Sequence, residues 1–133
     1  MKSHYQIAVI GAGPAGMAAA TVAAEHGASV LLLDEQAKAG GQIYRAVAEQ
    51  KINDQNILGD DYYKGRSLVS ELAASDVEHV GGATVWQVSP ERQIGVSKDG
   101  VAQQLTADRV IIATGAQERP FPIPGWTLPG VVN

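Results

Sequence analysis

Gly11-Ala12-Gly13-Pro14-Ala15-Gly16 is a G-x-G-x-x-G segment, a spacing that lets a chain turn sharply and then present bare backbone to an anion. Short glycine patterns arise by chance, so the neighbours decide what this one can do. It follows the apolar run Ile7-Ala8-Val9-Ile10, opens an alanine-rich stretch, and precedes Asp34, which stands 18 positions beyond Gly16. In that order a strand, a glycine turn and a helix hold the diphosphate of an adenine dinucleotide, and an acid at the end of the next strand accepts ribose hydroxyls. Gly11 then permits the tight turn, and Gly13 lets the diphosphate reach backbone N–H groups at the positive end of the helix. Pro14 and Ala15, in the first helical turn, belong to the same binding set. Gly16, with Ala19, Ala20 and Ala23, allows close packing of helix on sheet. The carboxylate of Asp34 repels a 2′-phosphate, which disfavours NADP at this site. Glu35 either shares that role or is a solvated strand-end glutamate.

The elements that must position these residues are legible around them. Ile7–Ile10 and Val30–Leu33 are continuous apolar runs, the pattern of strands buried on both faces of a parallel sheet. Between them Pro14 in a first turn and Gly27 just past an end predict a helix over Pro14–His26. The result is a βαβ unit with parallel neighbouring strands. Glu35–Gly59 reads as a long loop. Asp60 or Asp61 caps a helix to about Ser75, with Leu68, Val69, Leu72 and Ala73 on one buried face. The pattern then changes to period two: Thr84–Val88, Gln93–Ser97 and Val101–Thr106 predict an antiparallel meander, with Trp86 buried in it against the sheet. Val110–Ala113 returns to the buried-strand pattern and ends at Thr114-Gly115.

Composition removes several classes of function. The 133 residues carry 10 Lys and Arg against 14 Asp and Glu, a net charge of −4 with no basic cluster, which argues against nucleic-acid binding. There is no cysteine, so the chain supplies no disulfide, thiolate nucleophile, redox dithiol or iron–sulfur ligand. His4, His26 and His79 are dispersed and predict no metal site. No apolar run approaches the roughly 20 residues of a membrane span. The short polar start, Met1–Gln6, is not a signal peptide, and the cytoplasm is the expected location.

A second glycine pair follows the acidic strand end, in Ala39-Gly40-Gly41-Gln42-Ile43-Tyr44-Arg45. The spacing of GAGPAG, LLLDE and AGGQIYR resembles the N-terminal FAD-binding segment of the glutathione-reductase-like flavoproteins, which bind two dinucleotides. IIATGAQERPFPIPGWTLPGVV is similar to their second signature, an apolar strand ending in Ala-Thr-Gly. Within that superfamily the closest resemblance is to the flavoprotein subunits of opine oxidase, hydrogen cyanide synthase and dye-linked proline dehydrogenase, with the sarcosine oxidase alpha chain more distant. The resemblance covers essentially the whole chain.

It implies an α/β Rossmann-type parallel sheet with an antiparallel meander, incomplete at its C-terminal end, and FAD as cofactor. It places Gly40 and Gly41 beside the FAD diphosphate and ribityl chain, with Gln42 and Arg45 as polar contacts; a solvated loop arginine is the alternative for Arg45. It puts the backbone of Thr84 and Val85 at the adenine edge, and the Ala113-Thr114-Gly115 turn over the cofactor. Residues 1–118 are then the N-terminal part of an FAD-binding domain, and the proline-rich 119–133 a linker toward an NAD-type domain. The implied function is that of an FAD-binding module of an oxidoreductase acting on C–N bonds, partnered by a second flavoprotein or ferredoxin-like subunit. No residue stands out as acid, base or nucleophile. The alternatives are a fragment of an NAD(P)H-dependent flavin reductase, or a nucleotide-binding or subunit-assembly module without turnover.

Overall fold

The computed structural model describes residues 1–44, 60–117, 124–125 and 127–129. Six strands form one sheet: β1 (His4–Ile10), β2 (Val30–Asp34), β3 (Glu78–Gly81), β4 (Thr84–Val88), β5 (Gln93–Lys98) and β6 (Val101–Ile112). Helix α1 (Pro14–Glu25) joins β1 to β2, and α2 (Asp60–Ala74) precedes β3. The strand order is β3-β2-β1-β6-β5-β4. β3, β2, β1 and β6 are mutually parallel, whereas β6-β5-β4 is an antiparallel ribbon. This is the mixed, Rossmann-type α/β sheet that the sequence predicts.

The parallel strands bury both faces, as continuous apolar runs require. On one face Val9, Val30 and Leu32 pack with Met17 and Ala20 of α1 and Leu72 of α2. On the other, Ala8, Leu31 and Leu33 pack with Ile94, Val96 and Leu105, so the meander folds over as a second layer. Pro14 occupies the first turn of α1, and Gly27, at φ +80°, lies just beyond its end. Of the face expected on α2, Leu72 is buried and Leu68 and Val69 pack against the core, but Ala73 is exposed.

Three features depart from the sequence expectation. The two short strands read at 101–106 and 110–113 are one, because β6 pairs antiparallel with β5 through Val101–Thr106 and parallel with β1 from Thr106 to Ile112. The polar Asp108-Arg109 interruption is an exposed stretch of the same strand. β3 adds an edge strand that its short, half-polar sequence did not announce. Trp86 is 52% exposed, and is not buried against the sheet. Its ring lies instead on Gly95 of the neighbouring strand, where a Cβ would stand 2.5 Å from it. The β5–β6 hairpin closes through Asp99 and Gly100, both at positive φ, as a two-residue turn of matching twist requires.

Residues 45–59, Arg45 among them, lie outside the described residues, as does most of 119–133. Among the described residues no helix is long and apolar enough to cross a membrane.

Candidate functional site

The ends of three parallel strands converge where the chain reverses. Gly11 donates its N–H to the Leu33 carbonyl at 2.7 Å and Ala113 donates to the Ile10 carbonyl at 2.8 Å, which ties the exits of β1, β2 and β6 together. Open α/β sheets bind ligands at such carboxyl ends.

The glycines here differ in why they are glycine. Gly11 has φ +103°, and a Cβ on it would stand 2.4 Å from the Ala113 carbonyl oxygen. A Cβ on Gly16 would stand 1.8 Å from the carbonyl oxygen of Gly11. Both are demanded by packing. Gly41, at φ +62°, brings its Cα so close to the first turn that a Cβ would lie 2.8 Å from Gly13 Cα. Gly40 donates its N–H to the Ala12 carbonyl at 2.8 Å, which fastens the second glycine turn to the first. Gly13 alone is not explained this way. Its φ of −73° and ψ of −177° suit any residue, and a Cβ there would meet only Gly41 Cα, at 4.0 Å. A side chain at position 13 would intrude on open space beside the start of α1.

That space is a cavity of about 630 Å³, within the range of small-molecule sites. It brings together Gly11, Gly13, Pro14, Ala15, Asp34, Glu35, Gly41, Gln42, Thr84, Val85, Ala113, Thr114 and Gly115. Gly16 and Gly40 are buried behind its wall and do not line it. Sequence reasoning missed Ile10, Leu33, Gln36, Ile43, Ala83 and Ala116 in the lining. The first two end their strands, and that position was the available signal.

Asp34 is held from two sides. One carboxylate oxygen accepts the Ala12 N–H in a short bond, and the other accepts the Gln36 N–H at 2.7 Å. Each oxygen has a second lone pair, so the group can still accept hydroxyl donors. The Asp34 carbonyl takes the Ala83 N–H at 2.9 Å and the Gln36 carbonyl takes the Gly82 N–H at 3.0 Å. These two bonds set Thr84 and Val85 at the cavity.

Asp34 and Glu35 are the charged residues in the described lining. An anionic ligand must therefore be met chiefly by backbone. The first turn of α1 leaves N–H groups without intrahelical partners, and no side chain caps them. His79 on β3 is kept below the usual imidazole range, mainly by burial and also by the charge of Lys98, while Asp34 pulls it up. Among the described residues no group of three His, Cys, Asp or Glu side chains is placed to hold a metal.

The family model for pyridine nucleotide-disulphide oxidoreductases matches residues 5–132. This chain belongs to that family. Among its members, one of the subunits of opine oxidase from Agrobacterium tumefaciens is 44% identical over 141 aligned positions, covering 100% of this chain and 28% of that protein. The alpha subunit of sarcosine oxidase from Corynebacterium sp. is 37% identical, over 97% of this chain and 14% of that protein. The crystal structure of L-proline dehydrogenase from P. horikoshii superposes with a TM-score of 0.66 at 23% identity, covering 89% of this chain and 24% of that one; at that identity it speaks for the fold. The chain thus spans 28% of the length of the opine oxidase subunit it matches. It is an oxidoreductase-family module related to enzymes that act on C–N bonds. The disulphide chemistry in the family's description draws nothing from these 133 residues, which contain no cysteine.

Proposed function

We propose that the cavity holds the adenine-dinucleotide part of FAD, and that the chain is the FAD-binding module of a subunit that oxidises a C–N bond. The observation that carries this reading is Gly13, a glycine that packing and backbone geometry leave unexplained and that keeps the cavity open at the start of a helix. Two backbone segments converge there. The uncapped first turn of α1 offers N–H donors to the diphosphate, and the turn at Gly41 closes on it from the other side. Asp34, already anchored by two backbone N–H groups, accepts the ribose hydroxyls with its remaining lone pairs. Thr84 and Val85 present backbone to the adenine edge, and Ala113-Thr114-Gly115 cover the cofactor. Glu35 adds a second negative charge at the ribose end, and Gln42 a polar contact at the other.

When bound, FAD supplies the redox chemistry, taking a hydride from the carbon of an amine or imino acid. This chain's part is binding and orientation, and we assign none of its residues as acid, base or nucleophile. The named relatives are single subunits of their enzymes, and a partner subunit that receives the electrons fits the same reading. Competition calorimetry tests it. ADP and FAD should compete for one site, and 2′-phospho-ADP should bind at least tenfold more weakly, because its extra phosphate meets the carboxylates of Asp34 and Glu35. Equal or tighter binding of 2′-phospho-ADP would count against the assignment of the ribose end.

A further inference from the structure

Helix α2 carries a glycine, Gly65, in its second turn, where glycine costs about 1 kcal/mol relative to alanine. Its φ is not in the left-handed region, so conformational freedom does not explain it. Its surroundings do. A Cβ on Gly65 would lie 2.3, 2.4 and 2.8 Å from Cγ, Cδ1 and Cδ2 of Tyr44. The tyrosine ring therefore stands where any side chain at position 65 would have to be. Gly65 is buried, and Tyr44 packs against the helix-side core.

Tyr44 also closes the second glycine turn. Its N–H donates to the Gly40 carbonyl at 3.1 Å, and a Cβ on Gly40 would come within 2.5 Å of the Tyr44 carbonyl oxygen. Gly40 is bonded to Ala12, and Gly41 rests on Gly13. A continuous set of contacts thus runs from α2 through the Tyr44 ring and the 40–44 turn to the Gly13 wall of the cavity.

We infer that Gly65 is a socket for the Tyr44 ring, and that this pair is a positioning device: it holds the second glycine turn against the first and so sets the width of the dinucleotide cavity. Neither residue lines the cavity. For its ligand the inference rests on the function proposed above, but the socket has a readout of its own.

The test compares Gly65→Ala, Tyr44→Phe, Tyr44→Ala and the Tyr44→Ala/Gly65→Ala double variant by amide hydrogen exchange and by ADP titration. Gly65→Ala improves helix propensity, yet it should speed exchange at the Gly40 and Tyr44 amides at least tenfold and weaken ADP binding about tenfold. The effect should stay local, with the amides of β1 and β2 unchanged. Tyr44→Phe keeps the ring and should behave as wild type in both assays. Once the ring is gone the new methyl has room, so the double variant should be no worse than Tyr44→Ala. Unfolding of Gly65→Ala with recovery in the double variant also supports the socket. Unchanged exchange in Gly65→Ala, losses that add in the double variant, or failure of the double variant to fold where Tyr44→Ala folds would each overturn it. If the wild-type chain binds no ADP, the proposed function fails, while the exchange measurement still decides the socket.

Discussion

Adding one methyl group at Gly13 separates the needs of the fold from those of the ligand. The backbone at position 13 is in an extended conformation open to alanine, and the added Cβ would stand 4.0 Å from Gly41 Cα, an ordinary contact. Two small terms act on stability. Alanine is a poorer N-cap than glycine by about 0.5–1 kcal/mol, and replacing glycine narrows the unfolded ensemble, which stabilises by about 0.4–1 kcal/mol. They oppose each other, so Gly13→Ala should leave unfolding stability within about 1 kcal/mol of wild type. The ligand meets the methyl directly: it stands between the diphosphate and the N–H groups of the first turn of α1. A tenfold loss of affinity corresponds to about 1.4 kcal/mol, and at least that is expected. Gly11→Ala is the control in the opposite sense. Its positive φ and the carbonyl oxygen 2.4 Å from the new Cβ combine backbone strain with overpacking, and the chain should lose about 2–4 kcal/mol of stability. Urea unfolding and ADP calorimetry on both variants are the assays. A Gly13→Ala chain that binds ADP as tightly as wild type would refute the reasoning, as would one destabilised as much as Gly11→Ala.

Asp34→Ala should weaken ADP binding by about 1–3 kcal/mol, the scale of a lost charged hydrogen bond, and should narrow the preference for ADP over 2′-phospho-ADP; titration of both nucleotides measures it. Tyr5, buried and donating to Glu78 at 2.7 Å, is pushed up to about 12 by burial and by that bond, so ultraviolet titration should show one tyrosine ionising well after the usual value of 10. Glu78 is held below its usual 4.5, chiefly by the same bond, so its contribution is present above that pH and is lost as the pH falls through the lowered folded value; Tyr5→Phe should cost about 1 kcal/mol at neutral pH and progressively less in acid. His79, depressed from 6.5 mainly by burial, stays neutral in the fold while the unfolded chain takes up a proton, so stability should decline as the pH falls below about 6.5, and His79→Leu should flatten that slope in unfolding curves.

Much of this was legible because each local signal had a single geometric solution. Apolar runs at Ile7–Ile10 and Val30–Leu33, with Pro14 and Gly27 at the helix ends, leave little choice but a parallel βαβ unit. Its glycine turn and acid then fall at the strand exits, and the structure gathers them at one cavity. What stayed hidden depends on partners distant in sequence. The continuity of β6 comes from having two neighbours, β5 for one half and β1 for the other, which no window around Asp108 reveals. Trp86 reads as core by its type, but what its ring covers is Gly95 on the next strand, which leaves much of it in solvent. Gly40 and Gly41 look equivalent in sequence, yet one is buried behind the wall and the other lines it. Gly65 is an ordinary helix glycine until the Tyr44 ring is placed against it.

The central claim is that an adenine dinucleotide occupies the cavity at the carboxyl ends of β1, β2 and β6, and backbone amide chemical shifts recorded during an ADP titration test it most directly. The account predicts saturable shifts concentrated at Gly11, Gly13, Ala15, Gly41, Val85 and Gly115, with the opposite end of the sheet, around Tyr5, Ser29 and Glu78, unmoved. Shifts centred on that opposite end, or none at millimolar ADP, would contradict it.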